Sequence, residues 1–351
     1  MSETVAINHS SVEHQINKLK SQQLLIQDEK QAKDALMLYG YSNLIKSYRD
    51  PYFIIDGGQK TYRSGVSFEQ ISSLYLLDKN LRNAVMASML ALEEHIKEAA
   101  ANVVAKSFGT DHNDYLKFKN YQNKRKKKIQ FSLANLLNKM RGVLNTDKDP
   151  IHHYMQKYNT APPWILFKSV YLSTIINFID QFKALEKVSM ANSLYELSEL
   201  NISQTDLTRL MMDTLFTCND YRNTAAHGGR IYNHVCRNTI SSYGNMPLPF
   251  HGFSQLLYLL RLLKYKDPYL YLQKALDEQI NRHCSIYPAD VTYLGQSLNI
   301  NITPISYVYI ANKNNKYHTN PHCSGILNPK QMELSSAESL GYIPCKRCCK
   351  I

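Results

Sequence analysis

Apolar residues recur every three or four positions along residues 12–39, 68–106, 131–140, 164–185, 205–226 and 253–264. That spacing matches the 3.6-residue turn of an α-helix and predicts helices in each stretch, one face of each turned to a core. Residues 50–64, with Pro51 and Gly57-Gly58, read as a loop, and residues 243–252, with Pro247 and Pro249, as an extended connection. Past Gln279 the pattern changes: residues 291–301 and 305–310 alternate or are β-branched, so strands are expected there. The expected fold class is mainly α, with a helical domain over residues 1–284, a linker over 285–302 and a small α+β module over 303–351.

Composition adds a partner class. With 41 Lys plus Arg against 29 Asp plus Glu, the net charge is +12, which points to a polyanion such as RNA. No uninterrupted apolar run approaches the roughly 18 residues of a membrane span, so no membrane partner is expected. Met1-Ser2-Glu3-Thr4 has neither the charge nor the apolar region of a signal peptide, and a cytoplasmic location is expected. The run Lys124, Arg125, Lys126, Lys127 and Lys128 concentrates charge at an expected helix start, where it could contact phosphates. Such runs more often form a solvated face. Trp164, after Pro162-Pro163, is assigned to the core, and Cys218, Cys236 and Cys284 read as lone, small buried hydrophobes.

The segment from Cys218 to Arg230 carries candidate chemistry. Arg222, Asn223 and His227 supply a cation, an amide and a titratable imidazole, the inventory needed to cleave RNA without a metal cofactor. Gly228-Gly229 marks a helix C-terminus, so His227 is expected in the last turn, where the helix dipole favours imidazolium. Asn223 and His227 share a face, while Arg222 lies about 140° around the helix from His227. One helix therefore holds an incomplete set, and a homodimer is expected to complete it.

Arg222-Asn223-x-x-Ala226-His227-Gly228-x-Arg230-x-Tyr232-Asn233 resembles the HEPN motif of the Abi-like family of bacterial abortive-infection proteins, the AbiD and AbiF group. Further stretches agree in order: Asp34-Ala35-Leu36-x-x-x-Gly40-Tyr41, Val66-Ser67-Phe68-Glu69-x-Ile71, Leu74-Tyr75-x-x-Asp78-x-x-Leu81-Arg82 and Pro162-Pro163-Trp164, the whole spanning residues 15–263. The resemblance implies an all-helical HEPN-like domain, metal-independent endoribonuclease activity and a phage-defence or toxin role. Under it Arg222, Asn223 and His227 are catalytic, Glu93 is the nearest match to an orienting acid, and Arg230 joins the RNA-contact set. It also allows a non-coding RNA antitoxin or other inhibitor as partner. The alternative is a non-cleaving RNA-binding scaffold or sensor under small-RNA control.

The tail holds a metal signature. Of seven cysteines, four fall in the last 29 residues, which favours metal ligation over disulfides. His318-x4-Cys323 and Cys345-x2-Cys348, 21 residues apart, offer four ligands in two close pairs, suited to a tetrahedral, structural Zn2+ with no open position. His322 is an alternative to His318, and Cys349 to Cys348. The segment from Val308 to Cys348 resembles the metal-binding module of Ada-type DNA-repair proteins, which implies nucleic-acid contact. A reading as a DNA-repair or transcription-linked zinc protein would rest on this tail alone.

Overall fold

The computed structural model describes residues 9–56, 58–236, 243, 251–303, 307–311, 314–323, 326 and 328–349. The protein is mainly helical with a small sheet near its C-terminus, and the chain divides into two compact units. One comprises Met1–Leu77, Leu276–Gln296 and Ile300–Ile351; the other comprises Asp78–Ala275 and Ser297–Asn299.

In the first unit, residues 12–39 form two helices rather than one. Helix α1 (Val12–Ser21) starts at Ser11, whose hydroxyl accepts the His14 N–H at 3.2 Å. Helix α2 (Glu29–Tyr39) starts at Asp28, which accepts the Gln31 N–H at 2.9 Å. Each cap satisfies an amide that the first turn leaves without an intrahelical acceptor. Residues 50–64, expected as a loop, contain an antiparallel hairpin of β1 (Phe53–Asp56) and β2 (Gln59–Tyr62), with Phe53 opposite Tyr62. Gly58, at φ +83°, supplies the backbone conformation the reversal requires.

Buried polar groups tie distant segments of this unit together. Asp290 accepts from Tyr52 Oη at 2.6 Å and from Gln70 Nε2 at 3.0 Å, and its Oδ2 lies 2.9 Å from His283 Nε2. The other ring nitrogen of His283 meets Ser73 Oγ at 2.9 Å. Residues 291–301, expected as a strand, instead carry the helix Val291–Leu298, whose Leu294 and Leu298 are fully buried one turn apart. That four-residue spacing outweighs the β preference of Val291, Thr292 and Tyr293.

The tail is a four-stranded sheet in the order β5-β3-β4-β6: β3 (Tyr307–Ala311), β4 (Asn314–His318), β5 (Lys330–Glu333) and β6 (Ile343–Pro344). β3 pairs antiparallel with β4 and β5, and β4 pairs parallel with β6. Of the expected strand 305–310, positions 305 and 306 lie outside the described residues. A short helix, Leu334–Ser339, buries Ala337 against Val308 and Ile310.

Helix α3 (Phe68–Phe108) matches the apolar stretch 68–106, and the boundary between the units falls within it. In the second unit, residues 164–185 break into Pro163–Leu166, a short turn and Leu172–Asp180, because only the last segment has a long apolar face. Trp164, expected in the core, is half-buried and lines a cavity of about 620 Å3 with Leu90, Glu93, Glu94 and Lys168. Helix α4 (Gln204–Ala226) buries Leu207, Leu210, Met211, Thr214, Leu215, Cys218, Tyr221 and Ala225, the single apolar stripe that its spacing dictates. The expected connection at 243–252 lies mostly outside the described residues, with only 243, 251 and 252 described.

Candidate functional sites: a helix end and a cysteine cluster

Helix α4 begins at Ser203, whose Oγ accepts the Asp206 N–H at 3.0 Å, and ends in a turn that fixes His227. His227 is the residue just past the helix, its N–H still bonded to the Asn223 carbonyl at 3.0 Å. Gly228 adopts φ +71°, and the N–H groups of Gly228 and Gly229 fold back to the carbonyls of Ala225 and Thr224 at 3.2 and 2.8 Å. That double return satisfies carbonyls a helix end otherwise leaves open. His227 is exposed there.

Arg222 and Asn223 follow buried Tyr221 and flank the apolar stripe. Arg222 Nη1 donates to Asn223 Oδ1 at 3.3 Å, and Arg222 Nε is buried without a hydrogen-bond partner among the described residues. No hydrogen bond or ion pair joins Arg222 to His227 among those residues, as expected from their angular separation. The pair is thus presented, unengaged with each other, at one helix end.

The chain beyond the turn is held by Asp78 on α3. Its carboxylate is fully buried; Oδ1 accepts the N–H groups of Ile231 and Tyr232, each at 2.8 Å, and Oδ2 receives Arg82 Nη1 at 2.7 Å. Asp78 and Arg82 both stand in the motif stretches, but their role could not be read from spacing: Asp78 acts on residues more than 150 positions away. Arg230, immediately before this anchored pair, is half-buried.

Glu93, on α3, pairs with Lys97 Nζ at 2.7 Å and lines the cavity beside Trp164; among the described residues no hydrogen bond or ion pair joins it to Arg222 or His227. The basic run lies in an irregular segment just before a helix start, Lys128 preceding the short turn Ile129–Phe131 and the helix Leu133–Val143, and its side chains alternate. Lys124 and Lys126 turn to Asp180, joined there by Lys187, whereas Arg125, Lys127 and Lys128 are exposed. Burial alone would raise the Asp180 carboxyl, yet the three ammonium groups outweigh it and hold the group well below the usual carboxylate range.

In the tail, one donor atom from each of His318, Cys323, Cys345 and Cys348 lies within 4.8 Å of the others. Cys323 Sγ is 4.0 Å from Cys345 Sγ, and Cys348 Sγ is 3.5 Å from His318 Nδ1. His318 ends β4, Cys323 closes the turn through Asn320 and Pro321, and Cys345 follows β6 with its N–H on the Tyr317 carbonyl at 2.9 Å. His322 is exposed and Cys349 Sγ turns to the Tyr317 carbonyl, so the geometry selects His318 and Cys348 from the alternatives. Burial raises the Cys348 thiol, but hydrogen bonds from the Asn320 and Thr319 backbone, and from Cys323 and His318, draw it down to about 6. A thiolate there, with an imidazole and two further sulfurs, is a donor set that can hold a metal such as zinc. All seven cysteines are free of disulfides. Cys218 and Cys284 are buried as expected; Cys236 is not solitary but stands with Asp220 and His234.

These features define a mainly helical protein with a half-buried arginine and an exposed imidazole at one helix end and a metal-competent cysteine tail. The family model described as Abi-like protein matches residues 34–233, more than half of the chain, and the chain belongs to that family. At a coarse level this places it with abortive infection, a form of phage defence. No curated protein and no solved structure matches the chain. No helix among the described residues is long and apolar enough to cross a membrane.

Proposed function

We propose that this Abi-like protein is a HEPN-type endoribonuclease that needs no metal for the chemistry and cuts RNA as a phage-defence or toxin-type effector. The observation that carries the reading is the helix end: Arg222 with its buried Nε unsatisfied, Asn223 beside it, and His227 exposed on a glycine-locked turn. A buried guanidinium N–H without a protein acceptor is suited to a phosphate oxygen. In the reaction, a ribose 2′-hydroxyl attacks the adjacent phosphorus and the bond to the 5′-oxygen breaks. One His227 takes the 2′ proton, a second protonates the leaving oxygen, and Arg222 neutralises the charge gathering on the phosphorane. Because one helix end supplies a single imidazole, the active form is a homodimer. Asn223 orients the phosphate, and exposed Arg125, Lys127 and Lys128 draw the strand in.

The tail, with His318, Cys323, Cys345 and Cys348 holding a structural zinc, serves as an accessory nucleic-acid or partner module, with exposed Lys346 and Arg347 adding charge. A neighbouring small RNA or protein restrains the activity in the host.

The test is incubation of the full chain with labelled single-stranded RNA and, separately, DNA in EDTA, beside Arg222→Ala and His227→Ala. The expected result is 2′,3′-cyclic phosphate ends from the wild type alone, with DNA intact because it lacks the 2′-hydroxyl. Retention of RNA without cleavage by any form would replace the nuclease with a binding scaffold.

A further inference from the structure

We propose that Asp220, His234 and Cys236 form a second transition-metal site of the zinc class, separate from the tail cluster and built on helix α4 and the segment that follows it. The three share no residue with His318, Cys323, Cys345 and Cys348, and one donor atom from each lies within 4.8 Å of the other two. The inference stands independently of the nuclease reading, because its test measures metal and not cleavage.

Three elements bring these side chains together. Asp220 projects from α4, four residues before Thr224 and two before Arg222. The glycine turn after Ala226 and the Asp78 anchor at Ile231 and Tyr232 then send the chain back, so that His234 Nε2 lies 2.8 Å from Asp220 Oδ2. His234 is itself located: Tyr221 Oη donates to its carbonyl at 3.0 Å, and the Tyr221 ring meets the imidazole edge-on at 4.8 Å between centroids. Cys236, two residues on, completes the group, and all three are half-buried. A backbone fixed this way pre-positions the ligands before any ion arrives.

The chemistry of the donors selects the ion. A carboxylate oxygen, an imidazole nitrogen and a thiolate sulfur together suit Zn2+ and disfavour Mg2+ or Ca2+, which take oxygen ligands. With bonds of about 2.0 to 2.3 Å, tetrahedral zinc sets its donor atoms about 3.3 to 3.8 Å apart, and the three donors here lie within 4.8 Å of one another. On binding, the Cys236 thiol loses its proton to solvent and His234 coordinates through Nε2, exchanging the hydrogen bond to Asp220 for a shared cation. Three protein ligands leave a fourth position for water, unlike the closed set in the tail. The ion would clamp residues 234–236 to α4 beside Arg222, adding a second tie to the one Asp78 makes at 231–232.

The full chain, purified with added Zn2+ and dialysed, is assayed for metal by elemental analysis. Two equivalents per chain are expected in the wild type, one in Cys236→Ser, one in Asp220→Asn, one in Cys345→Ser, and none in the Cys236→Ser/Cys345→Ser double variant. Substitution with Co2+ gives an independent readout, since Cys236→Ser should remove one sulfur-to-cobalt charge-transfer contribution and leave that of the tail. Asp220→Asn keeps the size of the side chain and a hydrogen bond to His234, so unchanged helical circular dichroism in that variant separates loss of a ligand from loss of fold. A wild type with one equivalent, removed by Cys345→Ser and unaffected by Cys236→Ser and Asp220→Asn, overturns the proposal. So does a wild type with two equivalents that both variants retain.

Discussion

The helix end around Arg222 and the cysteine tail solve the same problem, holding polar side chains in place, by opposite means. At the helix end the holding is done by groups that take no part in the candidate chemistry: the apolar stripe of α4, the glycine turn, and the buried carboxylate of Asp78. In the tail the candidate ligands are themselves part of the interior. Its two small clusters are Val308, Ile310 and Ala337, and Ala311, Cys323, Ile326 and Cys345; half of the second consists of candidate metal ligands. A unit with ample apolar surface can leave Arg222 and His227 unspent at its surface, whereas a module this small must use its most reactive groups as structure.

The contrast is broken most severely by depriving the tail of the metal that its four donors can hold. Structural zinc in small modules contributes apparent binding free energies of about 10–16 kcal/mol, which is folding free energy for the module. Strong chelation, or Cys345→Ser, is therefore expected to open the tail and expose residues 307–349 to limited proteolysis. The helical signal, which comes mostly from residues outside the tail, should change little. Equal resistance of the tail with and without chelator would mean that Val308, Ile310 and Ala337 suffice as a core.

The next largest effect is expected at Asp78. Replacing it by Ala removes the acceptor of the Ile231 and Tyr232 N–H groups and the carboxylate that Arg82 Nη1 meets, at a cost of about 4 kcal/mol, or roughly 10 °C in melting temperature. Hydrogen exchange at the Ile231 and Tyr232 amides should rise more than that of the α4 interior. Uniform exchange across both would show that the anchor is global rather than local.

Much of this was readable in the chain, and what was missed has identifiable causes. The stretches 68–106 and 205–226 anticipated Phe68–Phe108 and Gln204–Ala226 closely, because long amphipathic helices repeat one signal many times. The glycine stop at Gly228-Gly229 was legible because only a few residue types take positive φ there. The pairing of His318 with Cys323 and of Cys345 with Cys348 was legible because close ligand spacing is local. The helix Val291–Leu298 was misread since three β-prone residues open it and only Leu294 and Leu298 carry its period. The hairpin was hidden behind Gly57-Gly58, which mark a reversal equally well for a loop or for paired strands. The role of Asp78 depends on tertiary proximity to residues more than 150 positions away, which no window along the sequence contains; Asp220, His234 and Cys236 fall in one short stretch, but a lone acid before a His-x-Cys pair carries no familiar ligand spacing.

A third test asks whether a carboxylate also organises the basic run. Asp180 gathers Lys124, Lys126 and Lys187, so Asp180→Asn leaves three ammonium groups together and is expected to cost about 2 kcal/mol, less than a fully buried pair because Lys124 is partly in water. The sign with pH follows from a carboxyl held below its ordinary range in the folded state. Its contribution is complete above the unfolded value of about 3.9 and is lost as pH falls through the lower folded value. Melting temperatures of the wild type and Asp180→Asn should therefore differ steadily at neutral pH and converge below about pH 4. A constant gap across that range would assign the loss to packing instead.

The smallest expected effect tests the helix end at its turn. Gly228→Ala places a Cβ at φ +71° without a steric clash from the surroundings, so the cost is conformational alone, about 1 kcal/mol. Gly229→Ala differs, because a Cβ there would stand 2.7 Å from Thr224 Cγ2 and 3.1 Å from the Thr224 carbonyl oxygen, so the Thr224 side chain must move and the last turn of α4 must give by a few tenths of an ångström. The two substitutions separate stability from positioning. If His227 acts only through its place just beyond the helix, Gly229→Ala should lower RNA cleavage more than Gly228→Ala even where their melting temperatures agree. Equal activities would mean that a displacement of the turn is tolerated, and that the partner copy or the RNA itself finishes placing the imidazole.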